Sequence, residues 1–144
     1  MRIKDILVTK GSRVVTAPAS ERIDALAHRL RAERIGAVIV SGEDETTVGI
    51  ISERDVVHGL AEYGAELLTM PVSKLMTRHV KSCTPDDSVK DVMQMMTQFR
   101  IRHLPVIDEG QLIGIVSIGD VVKNRLEDMG MEANLLRDIA IARR

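Results

Sequence analysis

Apolar and polar positions along this chain follow one pattern twice. Ile23, Leu26, Ala27 and Leu30 recur at the i, i+3, i+4, i+7 spacing that gives a helix one buried face, and Val89, Val92, Met93 and Met96 do the same. Each stripe leads into a short apolar run, "AVIV" (Ala37–Val40) or "LPVI" (Leu104–Ile107), and then a polar turn, "SGEDET" or the tighter "DEG". A second apolar run, "VGIIS" or "LIGIVS", passes directly into another helical pattern beginning "ERDVV" or "IGDVV". The predicted order is helix, strand, turn, strand, helix, with Ser20 and Asp87–Ser88 as natural N-caps of the first helix in each copy. Upstream, the lead-ins "IKDIL" and "VSKLM" also look alike, each followed by a short extended stretch and a proline, Pro18 or Pro85.

The copies keep their register. Gly114, Ser117 and Asp120 each stand 65 residues beyond Gly49, Ser52 and Asp55, and Ile101 and Val106 stand 66 beyond Ile35 and Val40. This is an internal duplication, with repeats over 1–62 and 72–126, a linker over 63–71 and a C-terminal helix over 127–144. A unit this short buries too little apolar surface to be stable alone, so two units sharing one core, sheet against sheet, are expected. The fold class is α/β (α+β). The tail "EANLLRDIAIARR" keeps Leu135, Ile139 and Ala142 roughly on one helical face with Leu136 beside it, which fits docking against the body or against a second subunit.

Composition narrows the function classes. Of 144 residues, 44% are hydrophobic and 28% charged, as in a globular rather than a disordered chain. Twenty basic against 21 acidic side chains give a net charge of -1 and no general attraction to polyanions. Tyr63 and Phe99 are the only aromatic residues of their kinds and Trp is absent, so no platform exists for stacking bases, and nucleic acid is not an expected partner. A lone Cys83 excludes an internal disulfide and fits a reducing compartment. The start, "MRIKDILVTKGS", lacks the apolar core of a signal peptide and no run approaches membrane-spanning length, so a cytoplasmic location with no membrane association is expected.

The heptads "GIISERD" (Gly49–Asp55) and "GIVSIGD" (Gly114–Asp120) carry the functional question. Ser-x-x-Asp before an apolar run is a capping box, which satisfies helix N–H groups without a ligand. The same residues can also hold one. The stretches "RIGAVIV…VGIISERDVV" and "TPDDSVKDVMQMMTQFRIRHLPVIDEGQLIGIVSIGDVV" resemble a tandem pair of cystathionine-β-synthase (CBS) domains, or Bateman module, of the stand-alone bacterial type. The resemblance covers nearly the whole chain. It implies two β-α-β-β-α repeats meeting through their sheets about a pseudo-twofold axis, with two clefts that take adenosine-containing ligands such as AMP, ADP, ATP, NAD or S-adenosylmethionine. It also implies a homodimer.

The resemblance assigns ribose and phosphate contacts to Gly49, Ser52 and Asp55 and to Gly114, Ser117 and Asp120. An ionised carboxylate accepts a hydrogen bond from each of two vicinal hydroxyls, the role expected of Asp55 and Asp120. Serine at a strand-to-helix junction, with the free N–H groups nearby, suits a phosphate. Gly49 and Gly114 are expected to leave room for base or sugar, and Ile50 and Ile115 to pack on the adenine. Arg54 inside the first motif, and Arg102 and His103 at the start of "RHLPVI", are candidate phosphate contacts, with an exposed helix charge and ordinary strand packing as alternatives. Gly36 and Ala37 occupy the places of Arg102 and His103 in the first repeat, so the two sites are expected to be unequal.

Other chemistry is poorly supported. His28, His58, His79, His103 and Cys83 form no close ligand pair, and no metal is expected. "IVSIG" lacks the first glycine of a nucleophile elbow, since Ile115 stands there, and there is no phosphate-binding P-loop. The chain is therefore expected to be a regulatory adenine-nucleotide sensor with AMP as the leading ligand, acting on an effector protein and not as an enzyme. A scaffold of degenerate repeats that only dimerises is the alternative.

Overall fold

The structure is a computed structural model that describes residues 1–44 and 46–142, apart from the side chains of Met131 and Glu132. Glu45 of the "SGEDET" turn and Arg143 and Arg144 of the tail lie outside the described residues. In chain order the elements are α1 (Ile3–Lys10), β1 (Thr16–Pro18), α2 (Ile23–Glu33), β2 (Ala37–Ser41), β3 (Thr47–Ser52), α3 (Glu53–Tyr63), two 3-10 turns (Gly64–Thr69 and Val72–Lys74), α4 (Val89–Phe99), β4 (His103–Asp108), β5 (Gln111–Ser117) and α5 (Ile118–Ala142). The content is mixed α and β, as the pattern predicts.

The chain forms two compact units, one of Arg13–Lys81 and the other of Met1–Ser12 with Ser82–Arg144. These are cut differently from the contiguous blocks 1–62 and 72–126 read from the repeats. Each lead-in folds with the other repeat. Ile3 and Ile6 of α1 are buried with Val89, Val92, Met96 and Leu104, and the Ile3 N–H donates to the Asp87 carbonyl at 3.0 Å. Val72 and Met76 are buried with Ile23, Leu26, Val38 and Ile51, and the Val72 N–H donates to the Glu21 carbonyl at 2.8 Å.

In the first unit β1 lies parallel to β2, and β2 antiparallel to β3 with Val40 opposite Gly49 and Ala37 opposite Ser52. The run Ala37–Val40 is buried throughout. Helix α2 buries Ile23, Leu26 and Leu30, whereas Ala27 of the expected stripe is exposed. Its N-cap is Arg22, with no side-chain cap, rather than Ser20. Backbone pairing of Arg22 with Pro71, and donation from the Ile23 N–H to the Met70 carbonyl at 2.9 Å, fix the helix start in place of a serine. The turn Gly64–Thr69 buries Leu67 in the same core, so the segment read as a linker is part of the unit.

In the second unit β4 and β5 form a hairpin with His103 opposite Ser117 and Val106 opposite Gly114. Glu109 and Gly110 turn it with φ of 49° and 78°, the positive pair a two-residue type I′ connection requires. The extended stretch of the first unit is matched only by a parallel bridge from Cys83 to Val106. Ser88 caps α4 as expected, its Oγ accepting from the Asp91 N–H at 3.0 Å. A left-handed arginine closes the first helix of both repeats, Arg34 after α2 and Arg100 after α4, each with φ of 54°. Helix α5 runs without a break from the second motif to Ala142, so the region read as a separate helix from 127 continues it as far as the described residues go. Leu135, Leu136 and Ile139 are exposed along it.

Candidate ligand-binding site

Both Ser-x-x-Asp motifs are capping boxes. At the β3–α3 junction the Asp55 N–H donates to Ser52 Oγ at 3.4 Å, while the Ser52 N–H and hydroxyl donate to Asp55 Oδ2 at 2.9 and 3.1 Å. At the β5–α5 junction the Asp120 N–H donates to Ser117 Oγ at 3.1 Å and the Ser117 N–H to Asp120 Oδ2 at 2.9 Å. Capping engages only Oδ2 of each carboxylate, so the cap does not by itself exclude a ligand on the other oxygen.

The motif glycines have a packing reason. A Cβ on Gly49 would lie 2.7 Å from Met76 Sδ and 2.8 Å from the Thr77 carbonyl oxygen, and one on Gly114 would lie 2.8 Å from Leu7 Cδ2. The space expected to admit base or sugar is filled on that side by the exchanged lead-ins. Ile50 is held in the same way: its N–H donates to the Thr77 carbonyl at 3.0 Å, and its carbonyl accepts from the Thr77 N–H at 2.8 Å.

The second motif differs. Lys10, the last residue of α1, donates from Nζ to Asp120 Oδ2 at 2.6 Å and to the Ile115 carbonyl at 2.8 Å. Both side chains are partly exposed. Burial alone would push the Asp120 carboxyl up, but the Lys10 hydrogen bond, the Ser117 amide and the Lys10 charge outweigh it and hold the carboxyl below its ordinary value. A cleft of about 260 Å³ opens beside this pair, lined by Thr9, Lys10, Asp120, Lys123, Asn124 and Glu127 among others. Asn124, one turn beyond Asp120 on α5, is 9% exposed. Its Nδ2 donates to Met1 Sδ at 2.9 Å, and its buried Oδ1 has no hydrogen-bond partner among the described residues.

The basic candidates fall into different surroundings. Arg54 is exposed on the first turn of α3 and lines a shallow hollow with Glu53, Val57 and His58, to which Asp55 does not contribute. Arg102 is exposed, and its carbonyl accepts from the Ile118 N–H at 2.7 Å, as the Gly36 carbonyl does from Glu53 at 2.9 Å. His103 is half-buried and faces Ser117 across the hairpin. Each motif is thus assembled inside its own unit, with Arg102 and His103 at the strand end beside Ser117.

Sequence reasoning missed Lys10, Thr9, Lys123 and Asn124. Lys123 and Asn124 follow Asp120 by three and four residues, the spacing of neighbours on a helix surface. Lys10 has no such signal. Among the described residues no group of three or more His, Cys, Asp or Glu side chains is placed to hold a metal ion. Cys83 is buried, and burial together with the Asp87 charge pushes its thiol up to about 12, which disfavours the thiolate a metal needs. No helix among the described residues is long and apolar enough to cross a membrane.

Comparison with known proteins agrees with this geometry. The sequence profile of the CBS domain matches residues 3–62 and 72–127. The CBS domain-containing protein YhcV of Bacillus subtilis is 31% identical over 126 residues, covering 88% of this chain and 86% of that protein. The crystal structure of the CBS-domain containing protein ATU1752 from Agrobacterium tumefaciens is similar at a TM-score of 0.84 and 44% identity, covering 86% of this chain and 92% of the other. The CBS domain pair of protein MJ0100, solved with 5-methylthioadenosine and S-adenosyl-L-methionine, is similar at a TM-score of 0.78 and 27% identity, covering 89% of this chain and 98% of the other. With both repeats matched and the motif residues in their capping geometry, this chain belongs to the family of CBS-domain pairs, whose members are regulatory modules.

Proposed function

We propose that this protein is a regulatory sensor that binds an adenosine-containing nucleotide, AMP foremost, through Gly49, Ile50, Ser52, Arg54 and Asp55 and through Arg102, His103, Gly114, Ile115, Ser117 and Asp120. The observation that carries the reading is the cleft at Asp120. Two carboxylates, Asp120 and Glu127, two ammonium groups, Lys10 and Lys123, and a buried amide oxygen with no partner among the described residues converge there in one unit. The adenosine ligands of the MJ0100 domain pair, 98% of whose solved chain is covered, support the adenosine part of this reading. The protein works as a homodimer in the cytoplasm and is not an enzyme. Ligand binding biases the arrangement of repeats or protomers, and an effector protein reads that bias. Such a device requires the ligand to bind one arrangement better than the other.

The test is a melting assay of the full chain with AMP, ADP, ATP, NAD and S-adenosylmethionine. A stabilisation that grows with ligand concentration is expected, and Asp120→Ala should weaken it while the unliganded melt stays cooperative. Incubation with ATP and Mg²⁺ should leave the nucleotide intact. A second reading, a scaffold of degenerate repeats, is favoured by one observation: both Ser–Asp pairs already serve as helix caps. No shift with any of the five ligands would decide for the scaffold.

A further inference from the structure

Lys10 holds, with a single ammonium, two acceptors of the second motif: Oδ2 of the Asp120 carboxylate at 2.6 Å and the Ile115 carbonyl at 2.8 Å. Among the described residues the first unit contains no such device. There the Ile50 carbonyl is taken by a backbone N–H, that of Thr77, and among the described residues Asp55 forms no ion pair with a cation. Matching the lead-ins through Leu7 and Met76, which pack on the two motif glycines, sets Lys10 against His79, an exposed residue. A backbone hydrogen bond in one repeat is therefore replaced by a long, charged, rotatable donor in the other.

We infer that Lys10 sets the ligand specificity of the Asp120 cleft, holding the carboxylate while the cleft is empty and moving to the ligand's phosphate when a nucleotide enters. The inference rests on the adenosine-nucleotide reading above. A lysine ammonium carries three donors on a flexible stem, and side-chain exposures of 33% for Lys10 and 26% for Asp120 leave the pair open to exchange. A ribose whose two hydroxyls take both oxygens of Asp120 competes with Lys10 for Oδ2 and leaves its ammonium one acceptor short, with only the Ile115 carbonyl still held. A phosphate removes that shortfall by offering a new partner. An unphosphorylated nucleoside offers none. Lys123 and Glu127 on the same cleft are of opposite charge, which leaves Lys10 as the donor that decides the preference.

The test uses calorimetric titration with AMP and adenosine in an Asp55→Ala background, so that binding reports the Asp120 cleft. With Lys10 present, AMP is expected to bind about tenfold more tightly than adenosine, the worth of one charge-assisted hydrogen bond. Lys10→Met, which keeps the apolar stem, should bring the two within about twofold, and Lys10→Arg should keep the preference. Lys10→Gln provides a second uncharged variant should the methionine form melt without cooperativity, with the same outcome expected. Tightening of both ligands alike in the uncharged variants would mark Lys10 as a plug and overturn the exchange, as would a preference that the variants leave unchanged. Equal affinity for AMP and adenosine with Lys10 in place overturns this inference and leaves the nucleotide reading standing. Binding of neither overturns this inference, and the nucleotide reading falls with it when the unaltered chain binds neither as well.

Discussion

Leu7 fills the place a side chain on Gly114 would need, with its Cδ2 2.8 Å from where that Cβ would stand. The contact joins the lead-in of one repeat to the motif of the other inside a single compact unit. Met76 and Thr77 stand in the same relation to Gly49.

The two contacts differ in what can yield. Leu7 presents the end of a flexible side chain, whereas Gly49 also faces the Thr77 carbonyl, fixed by its pairing with Ile50. Gly49→Ala should therefore cost about 1–3 kcal/mol, as overpacking does, and Gly114→Ala clearly less. Denaturant unfolding of the two variants measures the difference, and equal losses would contradict it.

The segment after α3 behaves as core. Leu67→Ala should destabilise the protein by about 2–5 kcal/mol, as for other large-to-small core changes. Leu68→Ala, at an exposed position beside it, should stay within about 0.5 kcal/mol. Thermal or chemical melts of the pair separate a packed segment from a free linker.

Acid should act through Asp120. Its carboxyl is held below its ordinary value in the folded chain, against the upward push of burial, by Lys10 and Ser117. The stabilisation is thus present above the unfolded carboxyl pKa of about 3.9 and is lost as pH falls through the lower folded value. Lys10→Met removes part of that depression. Its acid unfolding, followed by circular dichroism, should begin at a higher pH than that of the Lys10 protein, and coincident curves would refute the link.

Cys83 should be inert in the native protein. Its thiol is buried and pushed up to about 12, so little thiolate forms near neutrality. Iodoacetamide at pH 8 should label it only after denaturation, as mass spectrometry would show.

Much of the fold is local, and that much the residue pattern predicts. The i, i+3, i+4, i+7 stripes gave α2 and α4, with Ala27 the exception because the buried face is narrower than the stripe. Ser88 lies at a helix start as expected, whereas Ser20 does not, since residues 70–72 supply the backbone partners there. The Ser–Asp boxes span four residues and needed nothing beyond them.

On its own, the sequence determined the duplication, the strand pairs, the turns and the motif caps, because hydrogen bonds and periodicities over a few residues fix them. Tertiary structure decided which lead-in belongs to which core, and so brought Lys10 to Asp120 across 110 positions of sequence. Two lead-ins with the same apolar spacing are both suited to either groove by pattern alone. Packing of whole side chains, Leu7 on Gly114 and Met76 on Gly49, is what assigns them.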